Sequence, residues 1–474
     1  MMRPIYILII LLFLWVPSIH AQETPSEKAS AAEGETNEKA PDLRLKGSME
    51  QGIRLMRERR WEEAVRLFEE LARRSPGLPE VHFRLGVSYM ELNRLQKAEE
   101  ALKRAIRLNP NYVPALLQLA GLYEETQRLQ EALEAYDRVI QVEPLGEAVS
   151  ISLMKKMMIE GIFLARAKDF DGALRLFEGA ASLIPTDPAP VYNIGLVYLR
   201  KKQDAKAEEA FLKVIELDPK HQEAYLQLGN LYERHNRIDE ALNAFVGAVQ
   251  INPNSPGGRS AQAKVPLLRG ISLARRGKTD EALSAFQQAL RISPDSAPIY
   301  FNIAQLYLGK GDLENAEAAL NRTLQVDPGH QGALMNLGIL YERQAKLEEA
   351  LRAYERARDL QPETPDGVNA AVSAQTVRGK IAVRAEKLDE ALEAFKRAVE
   401  LQPKNPANHF NLALLYLRRN ELSEAEKAFD QVIALDPSEE DAYLPLADIL
   451  EKIGREQEAI EMYERLIALG SESL

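Results

Sequence analysis

The chain has no cysteine among its 474 residues. Disulfides, thiolate nucleophiles and cysteine-based metal sites are therefore excluded. Histidine is nearly as scarce. Beyond residue 21 there are His82, His221, His235, His330 and His409, and none lies three to five residues from another, so no pair has the helical spacing of metal ligands. Basic residues are outnumbered, 60 Lys and Arg against 71 Asp and Glu, for a formal charge of −11. That balance argues against a nucleic-acid or anionic-membrane binder, because neutralising phosphates takes concentrated positive charge. Gly277-Lys278-Thr279 ends like a phosphate-binding loop, but Ser272 stands where such a loop needs glycine and no strand precedes it. Carboxylate pairs such as Glu208-Glu209 and Glu348-Glu349 sit beside Lys and Arg, as solvated helix faces do, and no general acid and base pair stands out. No catalytic residue, metal or cofactor is expected.

What the chain does have is repetition. In residues 188–221, Val191, Ile194, Gly195 and Tyr198 fall at i, i+3, i+4 and i+7, and so do Ala207, Ala210, Phe211 and Val214. Each set is the apolar stripe of an amphipathic helix. The polar run 200–206 reads as the turn between two helices, and Asp218-Pro219 closes the second, since proline lacks the donor needed to continue. The same 34-residue pattern recurs twelve times, over 408 of 474 residues. Its eighth position (Gly195) is always Gly or Ala, its twentieth (Ala207) always Ala, and its twenty-fourth (Phe211) always Phe, Tyr or Leu. The thirty-second is Pro in every unit but the last, where Ser471 replaces it. Small residues at fixed positions mark where two helices approach closely, and the large one is a wedge between them.

The small-residue pairs, Tyr198 with its equivalents and the closing proline resemble the tetratricopeptide repeat family, whose period and helix-turn-helix unit match. The resemblance implies an all-α fold, a right-handed superhelical solenoid of helix-turn-helix repeats, with first helices lining a concave groove used for binding peptides and protein surfaces. Stacked repeats bury a continuous core, so a chain of this length needs no disulfide staples.

The units are unevenly spaced. They start at 45, 79 and 113, then 154, 188 and 222, then 263, 297 and 331, then 372, 406 and 440, so seven extra residues fall at every third junction and the chain is four triplets with a period of 109. Arg57, Arg166, Arg275 and Arg384 keep that period, as do Glu124, Glu233, Glu342 and Glu451. The expected divisions are therefore 45–146, 147–255, 256–364 and 365–474, the last three each opening with an insert. The insert 147–153 reads as helical. Those at 256–262 and 365–371 carry Pro256-Gly257-Gly258 and Pro365-Asp366-Gly367, which read as loop before a late helix start.

Residues 1–21 have one basic residue (Arg3), an apolar run at 5–16, Pro17 and a small residue at Ala21, the layout of a secretory signal peptide. Its run of twelve is short for a membrane span of about 20 residues. An exported, periplasmic or secreted protein is expected, the alternative being an inner-membrane anchor by an uncleaved N-terminus; with no cysteine to acylate, a lipoprotein is excluded. Residues 22–44 are small, polar and mostly acidic, and are expected to form a disordered linker.

The candidate site lies on the first helices of the middle units. Phe83, Val87 and Met90; Tyr192, Leu196 and Leu199; Phe301, Gln305 and Leu308; and Phe410, Leu414 and Leu417 form an i, i+4, i+7 stripe beside the core stripe. The resemblance places these positions in the groove, together with Asn193, Asn302 and Asn411 as backbone-binding amides. The third units put Glu at the twelfth position, so apolar and acidic bands should alternate. An apolar stripe of this size must be covered, either internally by the winding of the solenoid or by an extended or helical segment of a partner; the second reading is the one carried forward. The expected function is a non-catalytic scaffold for envelope or secretion-complex proteins, the alternative being a holding chaperone for exported proteins. Ile460, Tyr463, Leu466 and Ile467 in the last unit are expected to be open to end-on contact with a partner or another copy.

Overall fold

A computed structural model of the chain describes residues 39–472. The expected leader and most of the expected linker lie outside the described residues. Those described form 24 helices and no strand. They are α1 (Lys39–Arg57), α2 (Trp61–Arg74), α3 (Pro79–Glu91), α4 (Leu95–Leu108), α5 (Val113–Glu125), α6 (Leu129–Val142), α7 (Glu147–Arg166), α8 (Phe170–Leu183), α9 (Pro188–Arg200), α10 (Asp204–Leu217), α11 (Gln222–Arg234) and α12 (Ile238–Ile251). After them come α13 (Pro256–Arg275), α14 (Thr279–Ile292), α15 (Ala297–Lys310), α16 (Leu313–Val326), α17 (Gln331–Arg343), α18 (Leu347–Leu360), α19 (Pro365–Arg384), α20 (Leu388–Leu401), α21 (Pro406–Arg418), α22 (Leu422–Leu435), α23 (Glu440–Lys452) and α24 (Glu456–Glu472). The described residues divide into two compact units, one up to Ala261 and one from Gln262, the division falling inside α13.

Odd-numbered helices are the first members of the hairpins and even-numbered ones the second. Within a hairpin the contact is made by the wedge. A β-carbon on Gly195 would lie 2.7 Å from the Phe211 ring, so the α9 backbone rests directly on that ring. Phe211 is fully buried, and each of the twelve alanines at the twentieth position is at most 1% exposed. At about 25 cal/mol per Å² of apolar area, this repeated burial is the main stabilising term.

The hairpin turns share a device absent from the sequence reading. Among the described residues, nine non-glycine residues and three glycines have positive φ, and they occupy the fifteenth position of the twelve repeats, from Arg59 to Gly454. In the second hairpin of the 154–255 stretch, Gln203 N donates to the Tyr198 carbonyl at 2.9 Å and Lys202 N to Leu199 at 3.1 Å, so a left-handed residue satisfies the open carbonyls that end α9.

Successive hairpins are tied by side chains. In the hairpin of α5 and α6, Arg128 bonds both Glu131 and, 29 residues back, Glu99, and stacks over the Tyr123 ring at 4.4 Å. The arrangement returns 109 residues later, where Arg237 bonds Glu240 and Glu208 and lies 4.3 Å from the Tyr232 ring.

Two sequence expectations need correction. Lys39–Arg44, expected in the linker, are the first residues of α1. The inserts at 256 and 365 are also helical: α13 and α19 run for 20 residues, as α7 does, against 13 or 14 for most others. Proline is acceptable in the first turn, where its missing donor would have no partner. At α19 the Thr364 side chain caps Gly367 N at 3.1 Å, and a β-carbon on Gly367 would fall 1.9 Å from the Gln361 carbonyl oxygen, so glycine lets the helix start tightly against the preceding turn.

Candidate functional site

The stripe aromatics are placed by the elements that follow them. In the first compact unit, Phe83 on α3 meets Tyr112 edge-on at 5.5 Å. Tyr192 on α9 is 5% exposed, held between the wedge Phe211 (5.6 Å) and His221 (4.8 Å). In the second unit, Phe301 on α15 stacks on His330 at 4.6 Å, and Phe410 on α21 meets the wedge Phe429 at 5.8 Å. His221 and His330 are the N-cap residues of α11 and α17, each accepting a backbone N–H through Nδ1. The stripe therefore serves first to pack one repeat on the next.

The rest of the stripe is unevenly covered. Val87, Met90, Leu196, Leu199, Leu308 and Leu417 are half-buried, whereas Gln305 and Leu414 are exposed. Asn193, Asn302 and Asn411 each donate Nδ2–H to the carbonyl one turn back, at 2.8 to 2.9 Å, so one amide hydrogen is spent on the helix itself.

Of the four glutamates expected to form acidic bands, Glu451 is exposed, but Glu124 and Glu342 are engaged within the fold. Glu124 on α5 is 4% exposed, accepts from the Tyr136 hydroxyl at 2.8 Å and pairs with Lys155 of α7 at 3.2 Å. Its charge is neutralised internally by a residue 31 positions on. Burial, and then the neighbouring carboxylate, push the Tyr136 phenol well above its ordinary value and keep it a donor. Glu342 on α17 is held similarly by Tyr354 and by Lys380 of α19, both at 2.8 Å.

In the second compact unit, two sequence-derived residues, Asn411 and Leu414, meet in a cavity of about 490 Å³. Its other lining residues are Glu342, Leu347, Lys380, Val383, Arg384, Phe395, Leu415 and Arg418. None of these eight is one of the expected apolar or amide groove residues, though Glu342 stands at an expected acidic-band position. Arg384 carried a signal all the same, since it stands in the 109-residue series with Arg57, Arg166 and Arg275. The series marks the C-terminal end of each triplet's first helix, where basic residues suit the helix dipole, and that general role hid the local one.

The histidines at the fourth position are structural: His82 and His409 bond through Nε2 to the Pro76 and Pro403 carbonyls at 3.0 and 2.8 Å, as the Tyr300 and Tyr443 hydroxyls do to Pro294 and Pro437. No group of three or more metal-ligating side chains occurs among the described residues, and none of their helices is long and apolar enough to cross a membrane. On α24, Ile460 and Ile467 are 48% and 71% exposed.

Helical hairpins of fixed period, a small residue under a large wedge and a left-handed turn in each repeat together define the fold family. Profiles described as tetratricopeptide repeat match residues 49–113, 88–145, 191–221, 210–243, 273–325, 330–404, 376–440 and 410–473. The chain belongs to the tetratricopeptide repeat family. Protein bimA of Emericella nidulans is 31% identical to it over 98 residues, which is 20% of this chain and 12% of that protein's length. Among solved structures, a chain of the APC/C hetero-tetramer Cut9-Hcn1 is 14% identical, covering 86% of this chain and 96% of that one with a TM-score of 0.39. YrrB, a TPR protein with an unusual peptide-binding site, is 25% identical over 39% of this chain and 92% of its own, with a TM-score of 0.31. A tetratricopeptide fold suggests a protein–protein interaction scaffold.

Proposed function

We propose that this tetratricopeptide protein is a non-catalytic scaffold that holds a segment of a partner protein on the first-helix surface of α17, α19 and α21. The observation that carries the reading is the cavity there, whose exposed Leu414 stands beside Asn411 and above a buried apolar floor. A cavity of this size falls within the range of about 300–1,000 Å³ typical of ligand pockets. An apolar side chain left in water at such a place gains by being covered. The leader-like residues 1–21 support placing the scaffold outside the cytoplasm, among envelope or secretion-complex proteins.

The test is affinity capture with the full chain from an envelope extract, beside a Leu414→Glu variant whose helicity is checked by circular dichroism. The scaffold reading expects one or two stoichiometric proteins, lost with the folded variant. Retention of a heterogeneous set of unfolded exported chains would replace it with the holding-chaperone reading. Equal retention by both forms would move the site elsewhere.

A further inference from the structure

The α17–α19–α21 cavity has a charge arrangement that selects among protein segments, a specificity that rests on the scaffold role proposed for this surface. Its floor is apolar, with Leu347 and Phe395 4% exposed and Leu415 2% exposed. Its rim is cationic, from Lys380, Arg384 and Arg418. Glu342 is the one acid in the lining, and both its oxygens are engaged, one by Tyr354 and one by Lys380. Arg418 pairs with Glu386 at 2.7 Å, but that carboxylate is 72% exposed, and a pair so solvated holds its partner weakly.

Arg384 differs from both. Its guanidinium donates to the Ala345 carbonyl at 3.3 Å and has no carboxylate within ion-pair distance among the described residues. Four of its five donors are left over beside an apolar floor, and a planar guanidinium matches a carboxylate through two parallel hydrogen bonds. Asn411, having given one amide hydrogen to Ala407, keeps its second hydrogen and its Oδ1 for a ligand. A cationic rim is a local exception on a chain of net charge −11.

We infer that this cavity takes an extended acidic–apolar segment from within a partner protein. A Leu, Ile, Met or Phe side chain covers Leu414 and the floor, an Asp or Glu side-chain carboxylate meets Arg384, and the segment's main chain bonds Asn411. Basic segments are turned away by the same rim.

The test selects random peptides of about twelve residues, an ordinary groove-binding length, displayed inside a loop of a carrier so that neither end is free. The bait is the immobilised full chain. Selected peptides are then made with blocked ends and titrated by fluorescence anisotropy. The expected peptides pair Asp or Glu with a large apolar residue, and bind Arg384→Glu about tenfold or more weakly. Changing the peptide's acid to Lys restores binding to Arg384→Glu, a rescue that a folding defect cannot mimic, while Arg397→Glu, at a residue of α20 outside the cavity lining, binds like the wild type. Peptides without acids, or binding that Arg384→Glu leaves intact, would overturn this inference and leave the scaffold reading standing. A selection that yields no peptide, with dodecanoate saturating the cavity instead, would overturn both.

Discussion

The His221 ring lies 4.8 Å from the Tyr192 ring, centroid to centroid, and its side chain is wholly buried while its Nδ1 caps Ala224 N at 3.2 Å. That cap needs the neutral imidazole. Burial pushes the His221 pKa down, and Glu223 and Asp218 oppose this only in part. A group with a lowered folded pKa contributes stability that is complete above its unfolded pKa, about 6.5, and is lost as pH falls from there towards the folded value. Hydrogen exchange of the α11 amides should therefore accelerate between about pH 7 and pH 5 after correction for intrinsic rates. His221→Asn, which caps without titrating, should flatten that dependence; an equal slope in both proteins would remove His221 from the account.

Lys155 and Glu124 form an ion pair in which both residues are under 10% exposed. Removing one charge strands the other, and Lys155→Met should destabilise the α5–α7 region by about 3–5 kcal/mol. Adding Glu124→Gln should recover most of that loss, because the Tyr136 hydroxyl still has an oxygen to bond. Urea unfolding followed by exchange in α5 and α7 measures both, and additive losses would contradict the pairing.

Ala345 holds φ of 59° at a turn position where three of the twelve hairpins use glycine. The left-handed region costs a non-glycine residue about 1–2 kcal/mol, and glycine's extra chain entropy returns about 0.5–1 of it. Ala345→Gly should thus stabilise the α17–α18 hairpin by about 0.5–1 kcal/mol, read as slower local exchange. Faster exchange would show the turn to be unstrained.

Phe301 is half-buried against His330, so Phe301→Glu should disrupt the α15–α17 packing rather than only remove a contact with a ligand. Truncation to Ala should cost about 3 kcal/mol, the low end for a core ring because Phe301 is half-buried, seen as a lower melting temperature. A variant with unchanged melting would return Phe301 to the ligand-facing residues.

The hairpins, the wedge at Phe211 and the small residues facing it were legible because they repeat at fixed spacing, and periodicity reports which face of a helix is buried. Three things were not. Pro256 and Pro365 carry the same Pro-Gly signature in a loop or in a first helical turn, and only the close approach of Gly367 to Gln361 decides between them. The pairing of Glu124 with Lys155 spans 31 residues across two repeats, so neither residue's local pattern shows that the charge is cancelled. The stripe at Phe301 is apolar whether it faces a partner or the N-cap residue of the next first helix, and pattern cannot separate the two. Asn411 and Leu414 were found because the repeat put them there; Arg384 and Lys380 were missed because their places in the cavity depend on the lengthened α19.

The central claim is that a partner's chain lies against Leu414. The most direct measurement is site-specific photocrosslinking in cells, with a benzoylphenylalanine at Leu414 and, as control, at Leu212 on α10, which is comparably exposed. The account predicts a discrete adduct from position 414 that Arg384→Glu abolishes, and none from 212. Adducts of equal yield from both positions, or from 212 alone, would contradict it.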